Sequence, residues 1–240
     1  MIRALWVILV AFFSTGFRAT VAIAVGLFTK YTDFAYKHSF WPWARSIVRA
    51  AGIRVTAAGL ENIDPGNSYV IVSNHQSQLD IPVLVATLPL KLTIIAKKEL
   101  FKIPLFSQGM RAFGILEIDR SNRSRAIETL NLAAQVIRKE KISVLAFPEG
   151  TRSRDGKLHS FKKGAFALAT DHQFLILPVS ISGTFPVLPK GKLMVHPGEV
   201  KVTIHPPVDT SRFGTDRRAE LMDHVHQTIA SGLAENESHI

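Results

Sequence analysis

From Ile53 onward, short β-branched runs alternate with longer helical stretches, and this alternation limits the available architectures more than any other feature of the chain. The strand candidates are IRVTA (53–57), YVIVS (69–73), LTIIA (92–96), GILEI (114–118), SVLAF (143–147), FLILPVSI (174–181) and VKVTIH (200–205). Helices are expected between them at about 78–88, 123–139 and 161–171, with another near 216–232. Strands separated by helices must bury both sheet faces, which predicts an α/β layered domain. At 240 residues and 47% hydrophobic content, the chain can hold one fairly large domain with an appendage. No repeat, low-complexity tract or internal linker interrupts it.

The appendage is N-terminal. Residues 4–27, ALWVILVAFFSTGFRATVAIAVGL, are almost continuously apolar, with Arg18 the only charge. A bilayer span needs about 20 such residues. A central Arg costs about 2.5–3.5 kcal/mol on insertion scales. Two forms are therefore open: one spanning helix with Arg18 snorkelling, or two short interfacial helices divided at Ser14-Thr15-Gly16. A cleaved signal peptide is a third, suggested by Arg3 before the run and by AIA at 22–24, although the apolar residues after Arg18 fit it poorly. Lys30, Lys37, Arg45, Arg49 and Arg54 follow the segment while only Arg3 precedes its apolar part. Positive-inside bias then predicts an inner-membrane protein with its following domain on the cytoplasmic side. The expected division is a membrane-associated helical segment over 1–52 and a folded domain over 53–240. FWPWAR at 40–45 reads either as an interfacial anchor or as core packing.

There are 29 Lys and Arg against 19 Asp and Glu, a formal charge of +10. Fifteen basic and seven acidic residues fall between Lys97 and Lys163, so the surplus sits mid-chain. Such a balance favours anionic partners, although a solvated basic face would look the same. A nucleic-acid partner is not expected, because the basic residues lack the aromatic interleaving of a stacking platform. The absence of cysteine excludes disulfides, thiolate metal sites and a Cys nucleophile. G-x-S-x-G, H-E-x-x-H and G-x-G-x-x-G are missing, and His224 and His226 fall on different faces of their helix. Neither a metal nor a resident cofactor is expected.

Three stretches carry chemistry. In NHQSQLD (74–80), Ser77 and Asp80 match a helix capping box, which by itself explains both. Within one regular helix His75 and Asp80 would be turned about 140° apart. If His75 instead leaves the strand 69–73 in a turn and Asp80 opens the helix, the two converge. The carboxylate then orients the imidazole, and its other nitrogen can take a proton. FPEGTRSRDG (147–156) leaves a strand with Gly150, Thr151 and Arg152, a combination suited to a phosphate or to a plain charged turn. It is not a P-loop, since Lys157 precedes Leu158. In GILEIDR (114–120), Arg120 ends a strand, where open α/β sheets bind ligands, and Asp119 can simply pair with it.

Taken in order, NHQSQLD, AKKEL, GILEIDR, FPEGTRS and LILPVSI resemble the glycerolipid acyltransferase family typified by 1-acyl-glycerol-3-phosphate acyltransferase. The likeness runs from about Ser68 to Ile181. A lone H-x-x-x-x-D occurs often by chance; the ordered set with FPEGTRS intact is specific. The resemblance implies a mixed sheet flanked by helices, with an N-terminal membrane segment. It implies His75 as general base with Asp80 as its orienting partner, in a motif that begins at Asn74. By the same resemblance Arg120 holds the acceptor's phosphate, and Glu149, Gly150, Thr151 and Arg152 bind substrate. A lysine of AKKEL lies near the site, Lys97 rather than Lys98, and Pro178 shapes a pocket. The implied reaction transfers a fatty acyl group from acyl-CoA or acyl-acyl carrier protein to lysophosphatidate at a phospholipid surface, giving phosphatidic acid. No cofactor takes part. Glu117 departs from the family, which has an aromatic or aliphatic residue before IDR; a carboxylate there repels phosphate unless it faces solvent. Another acceptor, such as glycerol-3-phosphate, a lysophospholipid or an amino-acid lipid, is one rival. A non-catalytic lipid-binding protein that keeps the fold is the other.

Overall fold

The computed structural model describes residues 2–26, 36–103, 106–119 and 122–237. Among them seven strands form one sheet: β1 (Ile53–Ala58), β2 (Tyr69–Ser73), β3 (Leu92–Lys97), β4 (Leu116–Ile118), β5 (Ser143–Ala146), β6 (Leu175–Ser182) and β7 (Gly198–Ile204). Their order is β1-β7-β6-β2-β5-β3-β4. Every neighbouring pair is parallel except β6 and β7, so the sheet is mixed, as expected. The fourth strand starts two residues later than its apolar run, because Ile115 N–H turns back to Met110 and Gly114 adopts a left-handed φ of 72°.

Eight helices surround the sheet among the described residues: α1 (Ile2–Gly26), α2 (Trp41–Ala51), α3 (Asp80–Thr87), α4 (Phe106–Ala112), α5 (Arg123–Glu140), α6 (Gly164–His172), α7 (Thr184–Val187) and α8 (Arg218–Glu237). The central strand β2 is buried throughout, so its period of two feeds both faces. Tyr69 and Ile71 join the core under α1, α2 and α3, while Val70 and Val72 join that under α5, α6 and α8. Each helix layer is bound to the sheet by apolar burial, worth about 25 cal/mol per Å².

α1 is a single uninterrupted helix, so the division at Ser14-Thr15-Gly16 does not occur. Ser14, Thr15 and Arg18 face the protein. Trp43 donates its indole N–H to Thr15, Ser14 and Ser46 share a hydrogen bond, and the Arg18 guanidinium donates to the His38 carbonyl at 2.8 Å. Ala4 and Val7 are buried in the core. The rest of the helix shows Leu5, Trp6, Ile8, Phe12, Phe13 and Phe17 to the outside, with Phe12 and Phe13 each 66% exposed. Among the described residues no helix is long and apolar enough to cross a membrane. FWPWAR contributes to packing: Phe40 stacks on Trp43 and Phe113, and Arg45 lies over Trp41, 4.4 Å from the ring centroid. An apolar cavity of about 110 Å³ lies here, lined by residues including Thr15, Trp43, Ala96 and Phe113.

Candidate active site

Residues 74–79 leave β2 at its carboxyl end as irregular backbone, and the helix begins only at Asp80. This lets side chains five residues apart meet. His75 Nδ1 lies 2.7 Å from Asp80 Oδ2, which also accepts the N–H groups of Gln76 at 2.7 Å and Ser77 at 2.8 Å. The second oxygen accepts the Thr184 hydroxyl at 2.5 Å. Asp80 is wholly buried. A buried carboxylate is tolerable only when its lone pairs are filled, and four donors fill them here. The bond to Ser77 N–H is half of the anticipated capping box. The Ser77 hydroxyl, instead of completing it, donates to the Leu188 carbonyl. With Nδ1 engaged, Nε2 is the ring nitrogen left to exchange a proton.

The loop leaving β5 is fastened to the same histidine. Phe147 stacks on the imidazole with centroids 4.0 Å apart. Glu149 accepts His75 N–H at 2.8 Å through one oxygen and His159 N–H at 3.2 Å through the other, and Ser153 N–H donates to the His75 carbonyl. Burial pushes the Glu149 carboxyl above the ordinary carboxylate range, against the pull of those two N–H groups. Gln76 donates to the Gly156 carbonyl, and its own amide oxygen is buried without a partner among the described residues. Gly150 turns with φ 75°, and a Cβ there would come within 2.9 Å of the Lys162 ammonium. Below this loop, the Ser153 hydroxyl and Lys157 N–H hold the Asp155 carboxyl down to about 2.

The residues singled out from sequence are distributed unevenly. His75, Asp80, Glu149, Gly150, Thr151 and Arg152 converge at the carboxyl ends of β2 and β5. Glu149 is buried and spends its oxygens on backbone N–H groups, a positioning arrangement. Asn74 is also buried. Its amide brackets Ile181 of β6, donating to the carbonyl and accepting from the N–H, so its visible work is to join strand ends. Lys97 is largely exposed and sits 3.5 Å from Glu99, whereas Lys98 reaches Asp119 at 2.7 Å. Asp119 is further flanked by Arg125 at 3.6 Å. The geometry therefore turns the second lysine of AKKEL, not the first, toward the IDR motif. Arg120 lies outside the described residues. Glu117 is half exposed with Arg111 at 3.4 Å, which meets the condition of an outward-facing carboxylate. Pro178 lies in β6 opposite Val72 of β2.

Three contributors were not legible in sequence: Phe147 as the imidazole's stacking partner, Thr184 as the second anchor of Asp80, and Lys190. The Lys190 ammonium donates to the Thr151 hydroxyl at 2.7 Å and to the Arg152 carbonyl at 2.9 Å. Phe147 opens the quoted motif FPEGTRS, yet nothing in its spacing announces the stacking; the other two lie in a segment without a signature.

Comparison with known proteins gives the family and the fold. The family model described as Acyltransferase matches residues 54–182. The human 1-acyl-sn-glycerol-3-phosphate acyltransferase alpha is 34% identical over 77% of this chain and 65% of its own length. The 1-acyl-sn-glycerol-3-phosphate acyltransferase of Saccharomyces cerevisiae is 35% identical over 77% of this chain and 61% of its own. The chain thus spans just under two thirds of these relatives. The crystal structure of PlsC, the 1-acyl-sn-glycerophosphate (LPA) acyltransferase of Thermotoga maritima, superposes with a TM-score of 0.84 at 29% identity, covering 98% of this chain and 95% of that one.

Proposed function

Because the chain belongs to the acyltransferase family, we propose that it transfers a fatty acyl group from acyl-CoA or acyl-acyl carrier protein to the 2-hydroxyl of 1-acyl-glycerol-3-phosphate, giving phosphatidic acid for phospholipid synthesis. The observation that carries this reading is the His75–Asp80 pair, bolted through Phe147 and Glu149 to the loop that carries Thr151 and Arg152.

In the reaction, Nε2 of His75 takes the proton of the acceptor hydroxyl as its oxygen attacks the thioester carbonyl carbon. Asp80 holds Nδ1–H and stabilises the imidazolium that forms. The tetrahedral oxyanion collapses by breaking the carbon–sulfur bond, and the departing thiolate regains the proton from Nε2. The pair works like the histidine and aspartate of a serine protease, with the substrate hydroxyl in place of serine. No covalent acyl-enzyme and no cofactor is required by these steps. Arg120, Thr151 and Arg152 are assigned to the acceptor's phosphate in this reading, and the cavity beneath α1 offers room for part of a fatty chain.

The exposed apolar face of α1 supports attachment in the plane of a phospholipid surface rather than across it, and the basic residues Lys37, Arg45, Arg49 and Arg54 that follow it in sequence favour the anionic cytoplasmic headgroups of the inner membrane. The two-chain product would then be released where it dissolves.

The test is mass-spectrometric detection of phosphatidic acid when membranes carrying the protein, or its His75→Ala variant, receive lysophosphatidate with either donor. Product from the parent and a rate lower by about 10²–10⁴ in the variant is expected. An active variant would remove His75 as the base, and an inactive parent with both donors would point to a different acceptor.

A further inference from the structure

Between β6 and β7 the chain runs over the site as a strap, and three of its residues reach three different parts of it. Thr184 holds the free oxygen of Asp80, Leu188 receives the Ser77 hydroxyl, and Lys190 lands on Thr151 and Arg152. Lys190 is a partly buried residue, and among the described residues its ammonium meets two neutral oxygens and no carboxylate. An ammonium has three protons, and only two are used. A cation held in place by neutral oxygens, with a proton to spare and no counter-charge, is set to receive an anion. Arg152 on the same loop and Lys162 over Gly150 add positive charge. Nearby, Glu149 is committed to His75 and His159, and Asp155 to Ser153 and His159.

We propose that Lys190 is a ligand of the phosphate monoester of the acceptor, and that it sets the preference for phosphorylated over uncharged acceptors. This rests on the acyl-transfer reading above and adds to it a binding residue carried by a strap with no motif of its own. Because that strap also touches Asp80 and Ser77, a phosphate drawn to Lys190 is brought beside the base that must reach the neighbouring hydroxyl. Donor phosphates carry the same chemistry, and the assay separates the two sources.

The experiment compares the full chain with Lys190→Met and Lys190→Arg, using lysophosphatidate and 1-acylglycerol of the same chain length as acceptors and titrating the acyl donor separately. The expected result for Lys190→Met is a fall of about tenfold or more in the ratio of kcat/KM for lysophosphatidate over 1-acylglycerol, the loss of one charge-assisted contact, expressed mainly in KM. Lys190→Arg should retain most of the preference. Equal losses on both acceptors would reduce Lys190 to a latch for the 149–152 loop and overturn the proposal. So would an effect confined to the KM of the donor. Equilibrium binding of lysophosphatidate to parent and Lys190→Met is measured alongside. If the parent turns over neither acceptor, the proposed reaction falls while weaker binding by the variant still supports Lys190, and equal binding refutes it.

Discussion

At the scale of single residues, NHQSQLD combines half of a capping box with a carboxylate–imidazole contact. Asp80 satisfies backbone N–H groups at a helix start and also holds the imidazole. Sequence spacing could not separate these roles, because one carboxylate oxygen performs both. Asp80→Asn should therefore keep much of the loop geometry while lowering kcat, since the amide accepts N–H bonds but does not stabilise imidazolium. Glu149 yields a pH prediction. Burial raises its carboxyl, so the native state keeps this proton to higher pH than the unfolded chain does. Stability from this group then falls as pH rises through the raised value. Asp155 acts with the opposite sign: its contribution is present above the ordinary Asp range and fades as pH drops toward 2. Glu149→Gln should lower the denaturation midpoint, because the amide nitrogen faces an N–H group at a cost of about 1–3 kcal/mol. It should also flatten the decline as pH rises above the ordinary Glu range, and an unaltered pH slope would show that the decline has another source. Lys97 and Lys98 show where pattern reading stops. They are adjacent at the end of β3, where the chain enters a short turn, and which one turns toward Asp119 depends on that turn. Thr184 and Lys190 were hidden for a simpler reason: their partners lie 104 and 39 residues away, and no local periodicity reports such contacts.

At the scale of elements, all seven strand runs were legible, since β-branched clusters between turn residues are a strong signal and each buried strand repeats it. The state of the N-terminal segment was not, because Arg18 and the Ser14-Thr15-Gly16 break looked like a defect in an apolar helix. Ser14, Thr15 and Arg18 form the side that docks on α2 and the turn before it, leaving the opposite side apolar. That separation makes a specific outcome measurable. Replacing Trp6, Phe12 and Phe13 together by Ser should abolish co-sedimentation with phospholipid vesicles while leaving the thermal midpoint in detergent within a degree or two, because these side chains are mostly exposed and lie outside the core. A large drop in the midpoint instead would place that face against the protein and defeat the interfacial assignment. Thr15→Val should do the reverse, costing about 1 kcal/mol through the lost Trp43 bond with vesicle binding retained.

At the scale of the whole molecule, a charge of +10 and a one-sided apolar helix act over different distances. Screening shortens the first to about 10 Å in 0.1 M salt and leaves the second untouched. Binding to vesicles containing anionic lipid should weaken as salt is raised and level off at the value set by α1, whereas binding to neutral vesicles should hardly change. A salt-independent affinity for anionic vesicles would mean that the basic surplus faces away from the bilayer. The backbone of His75 has a further consequence at this scale. It gives its N–H to Glu149 and receives the N–H of Ser153, so two motifs more than seventy residues apart in sequence behave as a single part. Exchanging segments with a relative by a crossover anywhere between Asp80 and Phe147 would join halves shaped by different partners. Chimaeras should survive when both motifs come from one parent and lose activity when they are split, which makes this pair a natural unit of inheritance for anyone recombining such enzymes.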